Sequence, residues 1–184
     1  MLDDMKLNKA KLAVAVVLVA ASWVAHGQSV TLSISGRITS TPCTVSVDAV
    51  VMGDVPISEF SASRTPGQQY WKDFSVTLGG CEVSTLQAAS LRFNGTTAFG
   101  DAGILALTAV QGAATGFGVQ VQTKDATHGS GQIVRMDGSE SYAFNVNSSK
   151  NTFQFTSSYI STPSATGIRS GTADATATIT LTYS

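Results

Sequence analysis

The sequence predicts an all-β fold, an antiparallel sandwich built from short strands, and three observations carry that prediction. Many short segments alternate apolar and polar residues with the period of two that a half-buried strand requires. Gly, Pro, Asn and Asp recur between those segments and supply turns. The composition leans on Ser, Thr, Gly, Val and Ala, which favours strands and turns over helices.

In chain order, the first element is a targeting signal. Lys6, Lys9 and Lys11 make a basic start, residues 12–21 are almost unbroken apolar, and Ala25-His26-Gly27 supplies the small residues of a cleavage point. The apolar stretch is about half of the ~20 residues needed to span a bilayer. Residues 1–27 are therefore expected to be a secretory signal peptide, with the exported chain beginning at Gln28. Removal leaves eight basic and ten acidic side chains, enough residues for a single domain with a substantial core.

Next comes Val30-Thr31-Leu32-Ser33-Ile34-Ser35-Gly36-Arg37-Ile38. As a strand it places Val30, Leu32, Ile34, Gly36 and Ile38 on one face and Thr31, Ser33, Ser35 and Arg37 on the other. Gly36 inside such a strand marks a close approach of another backbone. Cys43 and Cys81 are the two cysteines of the chain. In an exported protein an even count argues for a disulfide between them, which the chain-entropy model values at about 3.5 to 4 kcal/mol. A metal or redox pair would call for closer spacing and partner histidines.

Further strands are expected over residues 45–55, ending at Gly53-Asp54 and Pro56, over 74–78, and over 90–93, where Asn94-Gly95 is a strong turn signal. Others follow over 103–107, 116–122, 142–146 and 151–160. Strands at this spacing suggest a sandwich of the immunoglobulin type. Trp71 lies only ten residues before Cys81, which argues against a true antibody-like domain. The last segment, residues 173–184, alternates again. Ala175, Ala177, Ile179, Leu181 and Tyr183 share one face, against Thr176, Thr178, Thr180 and Thr182.

Val30 through Ile38, then Pro42-Cys43-Thr44-Val45, then Ala175 through Ser184, together resemble the pilin subunits of chaperone-usher fimbriae of the type 1 kind. The likeness is greatest to minor tip-fibrillum subunits, which also have a short arm before the first cysteine. It covers the order of parts along the exported chain, while residues 96–135 carry little signature. The resemblance implies an incomplete immunoglobulin-like β-sandwich completed in trans by a donor strand. Residues 28–39 would be the donor arm and 40–184 the pilin domain. Val30, Leu32, Ile34 and Ile38 would fill pockets of a neighbour and Gly36 a shallow one. Four such side chains bury a gross ~6 to 12 kcal/mol before ordering costs, and ladder bonds add register, as in β-augmentation. Ala175, Ala177, Ile179, Leu181, Tyr183 and the terminal Ser184 would form the acceptor groove and the face offered to a periplasmic chaperone. Neighbouring fimbrial subunits and an outer-membrane usher are the other partners implied. The destination would be the cell surface, in a fimbrium that supports adhesion.

Other chemistries fit poorly. With 12% charged residues and no basic cluster, nothing matches a nucleic-acid backbone. His128 is the single histidine after the leader and sits in a polar Thr127-His128-Gly129-Ser130-Gly131 run, which reads as an exposed loop. No strained Gly-x-Ser-x-Gly elbow is present, and residues 112–118 have glycines but lack the Lys of a phosphate loop. The acids are scattered, so no metal or other cofactor is expected. Trp71, Tyr70, Phe60 and Arg64 could form a sugar-stacking surface, although core packing is the commoner fate of aromatics. The alternative function is a secreted carbohydrate- or protein-binding module, such as an adhesin for a host-surface receptor.

Overall fold

The structure, a computed structural model, describes Ser33, Ser35, Arg37 and residues 43–80, 86, 88–146, 151–163 and 167–183. The chain divides into two compact units, Met1–Ile38 and Thr39–Ser184. In the first, Ser33, Ser35 and Arg37 are exposed and belong to no regular element. The expected leader, the apolar arm positions Val30, Leu32, Ile34, Gly36 and Ile38, the second cysteine Cys81, and Ser184 lie outside the described residues.

Among its described residues the second unit contains ten strands: β1 Thr44–Val47, β2 Lys72–Gly79, β3 Ala88–Asn94, β4 Thr97–Ala98, β5 Asp101–Ala106, β6 Phe117–Asp125, β7 Gly129–Ile133, β8 Tyr142–Asn145, β9 Thr152–Ser161 and β10 Thr178–Tyr183. Two 3₁₀ turns, Ile57–Phe60 and Gln68–Tyr70, precede β2. The larger sheet runs β1-β2-β9-β6-β5-β4, with β7 also on β6, and the smaller runs β10-β3-β8. Every pairing between these strands is antiparallel.

Alternation explains which side chains meet between the sheets. Val76 and Leu78 of β2, Val119 and Val121 of β6, and Phe153 and Phe155 of β9 bury against Ala89, Leu91 and Phe93 of β3 and Tyr142 and Phe144 of β8. Aromatic rings bridge the two layers: Phe144 stacks on Phe153 with centroids 4.0 Å apart, and Phe93 meets Phe155 edge-on at 5.2 Å. Such pairs contribute beyond their buried area.

Two strands differ from the sequence expectation, each for a visible reason. The strand expected over 45–55 ends at Val47, its last partner on β2 being Val76, and residues 48–56 leave the sheet. At the expected turn, Asn94-Gly95, the chain passes from the smaller sheet into the larger. A Cβ on Gly95 would lie 2.4 Å from Leu105 Cδ1 and 3.2 Å from the Thr176 carbonyl, so a side chain there would push the Leu105 tip aside. The closing strand begins at Thr178, because the carbonyls before it are engaged elsewhere. Ala173 O accepts from the Tyr159 hydroxyl at 2.9 Å, and Asp174 O accepts from Thr108 N–H at 2.7 Å.

Candidate docking groove

Beside the run that leads into β10 the sandwich opens into a groove of about 850 Å³. Its floor is the inner face of the larger sheet, with Phe74 from β2, Leu105 from β5, Val119 and Val121 from β6, and Tyr159 from β9. One wall is the run from Val50 to Val55 that has left β1, and the other is Ser170 to Ala175, which leads into β10. The floor is apolar because strands alternate; the walls are irregular because neither has a ladder partner along its whole length.

Both walls are anchored. Ser157 Oγ donates to Met52 Sδ at 3.3 Å under the first wall. The second is clamped to residues 112–115: Ala114 N–H donates to Thr172 O at 2.8 Å, Thr172 N–H to Gly112 O at 3.0 Å, and Thr115 and Arg169 exchange both backbone bonds. Gly171 is required there, since a Cβ would sit 2.3 Å from the Gly112 carbonyl. The Tyr159 hydroxyl joins floor to wall through Ala173 O. Burial, and the nearby Asp174 carboxylate, raise its pKa above the ordinary tyrosine value, so it stays a donor at neutral pH.

Of the predicted acceptor residues, Ala175 lines this opening, while Ala177, Ile179, Leu181 and Tyr183 do not. Ala175, Ala177, Ile179, Leu181 and Tyr183 share one face and pack on the core, yet each remains only partly buried. Thr176, Thr178, Thr180 and Thr182 are exposed on the opposite face. Among the described residues β10 pairs only with β3, leaving its other edge available for main-chain bonding. At its far end the Tyr183 hydroxyl accepts from Cys43 N–H at 3.3 Å, and Cys43 is disulfide-bonded.

Sequence reasoning missed the wall at 50–55 and the role of Tyr159. Val50-Val51-Met52 was readable as three consecutive apolar residues just before Gly53, and Val51 is 78% exposed, but nothing in the pattern says that they leave their sheet. Of the aromatic group considered for sugar stacking, Tyr70 and Trp71 are partly buried and Arg64 is exposed. Phe60 is buried against Phe117 with centroids 4.9 Å apart, and Trp71 Nε1 donates to Pro66 O. His128 is also not a free loop residue. It is partly buried, its Nδ1 lies 3.1 Å from Asp125 Oδ1, and its ring meets Phe144 edge-on at 4.7 Å. Among the described residues no three His, Cys, Asp or Glu side chains cluster as a metal site would need.

A family model described as "Fimbrial protein" matches residues 32–184. The "Probable major fimbrial subunit LpfA" of Escherichia coli O157:H7 is 27% identical over 138 residues, which cover 72% of each chain. The "Type-1 fimbrial protein, C chain" of Escherichia coli is 27% identical over 158 residues, 83% of this chain and 82% of that one. The crystal structure of the P pilus rod subunit PapA superposes with a TM-score of 0.62 at 23% identity, covering 78% of this chain and all of the other, and shares its fold.

Proposed function

The chain belongs to the fimbrial protein family, as a non-enzymatic structural subunit of chaperone-usher fimbriae with an immunoglobulin-like pilin fold, and from that premise we propose that it polymerises by donor-strand exchange. In this reading residues 28–39 are an arm that completes a neighbour's sandwich, and the groove at the run that leads into β10 receives the arm of another subunit. A periplasmic chaperone holds the groove first and an outer-membrane usher presides over the exchange, after which the subunit stands in the surface fimbrium. The disulfide of Cys43 closes on Cys81 and ties the start of β1 to the chain just past the end of β2.

The observation that carries the proposal is the half-open inner face of β10. Ile179 and Leu181 stand directly opposite Phe93 and Leu91 in the register of one sheet. The β3 residues are sealed while those of β10 are not. An added strand would bury that face, cover the apolar floor and satisfy the edge, three contributions of the same sign.

The test compares residues 28–184 alone with the same chain carrying a second copy of residues 28–39 behind a flexible linker after Ser184, both oxidised. Thermal unfolding followed by circular dichroism is expected to show a much higher Tm for the self-complemented form, which stays monomeric while the other associates or unfolds. Equal, high Tm values and two monomers would mean a sandwich complete without a donor, and the proposal would fall.

A further inference from the structure

The outer face of the larger sheet carries a second hollow, of about 240 Å³, bounded by Asp48, Asp73, Ser75, Lys124 and Gln154. Strand alternation puts these side chains together. Val76, Phe153 and Phe155 face the core, so Ser75 of β2 and Gln154 of β9, which are register partners, face away from it. Lys124 of β6 follows the buried Thr123, the partner of Phe155, and is exposed. Strand β1 ends at Val47, opposite Val76. Asp48, the next residue, bounds the hollow where the chain leaves the sheet.

From Asp48 through Ser75 and Gln154 to Lys124 the row reads carboxylate, hydroxyl, amide, ammonium. With neighbouring strands about 4.8 Å apart, its two charged ends stand about 14 Å from each other at the backbone, and Ser75 and Gln154 make the floor between them. Asp73 closes the hollow and is ion-paired with Lys124, which holds its carboxyl below the ordinary aspartate range. Among the described residues, the side chains of Asp48, Ser75 and Gln154 have no hydrogen-bond partner within the protein. An acceptor, a hydroxyl and an amide that both donates and accepts therefore surround one cavity with their capacity unused. A few convergent polar groups in a concavity are what orient a small ligand.

Size and charge select the ligand. Drug-sized molecules occupy roughly 300 to 1,000 Å³, so this hollow admits one small ring and no chain. A cation would meet Lys124, an anion would meet Asp48 and Asp73, and an apolar molecule would strip water from both carboxylates without replacing it. A partner protein would look for an apolar centre, which Ala49 and Phe74 alone could supply here. A neutral polyhydroxylated ring meets no such penalty: its hydroxyls donate to Asp48 and Asp73 and accept from Lys124 and the Gln154 amide. We propose that this hollow is a binding site for one neutral monosaccharide unit of a glycan, held by Asp48, Ser75, Gln154 and Lys124. Its polar residues lie on the face of β2, β9 and β6 turned away from the groove, and Phe74 lines both hollows. Sugar binding is thus independent of what fills the groove.

The experiment uses the full chain, exported together with its chaperone, and saturation-transfer NMR titrations with methyl glycosides of glucose, galactose, mannose, fucose and the N-acetylhexosamines. Glucuronate and glucosamine serve as the charged counterparts. At least one neutral glycoside is expected to bind with a Kd of about 1 mM, and the charged sugars at least roughly tenfold more weakly. Asp48→Asn and Gln154→Ala are each expected to weaken binding roughly tenfold and to leave Tm unchanged, because neither side chain has a partner in the protein to lose. Saturation by none of the neutral glycosides would overturn the proposal. So would a preference for glucosamine, which would make the hollow a cation site, and so would unchanged affinity in both variants, which would put the sugar elsewhere. Should a variant fail to be exported, the parent's own discrimination between neutral and charged sugars still decides the matter.

Discussion

The two edges of the smaller sheet carry the same alternating pattern and differ in what lies beneath them. At one edge, β8 turns Tyr142 and Phe144 inward, and both are almost fully buried. At the other, β10 turns Ile179, Leu181 and Tyr183 inward, and all three stay partly exposed. Both strands pair only with β3 among the described residues, so edge position alone does not open a strand. The facing sheet decides. Under β8, Phe153 and Phe155 of β9 rise to meet the inner face, whereas at the run that leads into β10 the larger sheet leaves the groove. A closed edge serves stability and an open one serves association.

The largest expected effect breaks that comparison on the closed side. Phe144→Ala removes a ring in contact with Phe153, Phe155 and His128 and should cost about 3 to 5 kcal/mol. The loss should be the same whether or not a donor arm is present. Leu181→Ala on the open side should cost the isolated subunit only about 1 kcal/mol, because water already reaches the site. With an arm appended, the cost should rise to about 2 to 3 kcal/mol, since both strands then bury the leucine. Denaturant unfolding of the parent and both variants, each with and without the arm, checks the pattern, and an arm-independent cost at Leu181 would mean that β10 is already closed.

The closed side of this comparison was legible in the sequence, and half of the open side was. Strands β2, β3, β8 and β9 announce themselves because one face of each is apolar and meets a core. The strand β7 does not, since all five residues from Gly129 to Ile133 are exposed. It exists because Asp125 Oδ1 accepts the Thr127 and His128 N–H groups and closes the turn after β6. The inner face of β10 was readable as alternation. The groove was not, because it is a gap between a wall that leaves β1 and a wall pinned by Gly171 to residues 112–115, and a gap made by tertiary pairing has no local pattern.

A smaller effect sharpens the account of the open side. Tyr159→Phe keeps the floor apolar but releases Ala173 O, the bond that ties floor to wall. The isolated subunit should lose about 1 kcal/mol. Arm capture should slow as well, because that wall is no longer fixed. An unchanged capture rate in a stopped-flow assay with the arm peptide would show that the clamp at Gly171 holds the wall by itself.

The smallest effect at neutral pH returns to the closed edge. The Tyr142 hydroxyl accepts from Arg135 N–H at 2.7 Å and donates to Glu140 at 3.1 Å. Burial first, and then the Glu140 carboxylate, push its pKa up to about 12. An unfolded tyrosine ionises near 10. The unfolded state therefore releases this proton first as the solution becomes alkaline, and the stability that the neutral hydroxyl represents, complete below pH 10, drains away between pH 10 and 12. Tyr142→Phe gives up the two hydrogen bonds at every pH but has no proton to lose. Its Tm should lie slightly below that of the parent at pH 7, and the difference should shrink or reverse by pH 11.5. Parallel Tm curves across that window would show that the closed edge admits water to the phenol, and that the two edges of the sheet differ less than their burial indicates.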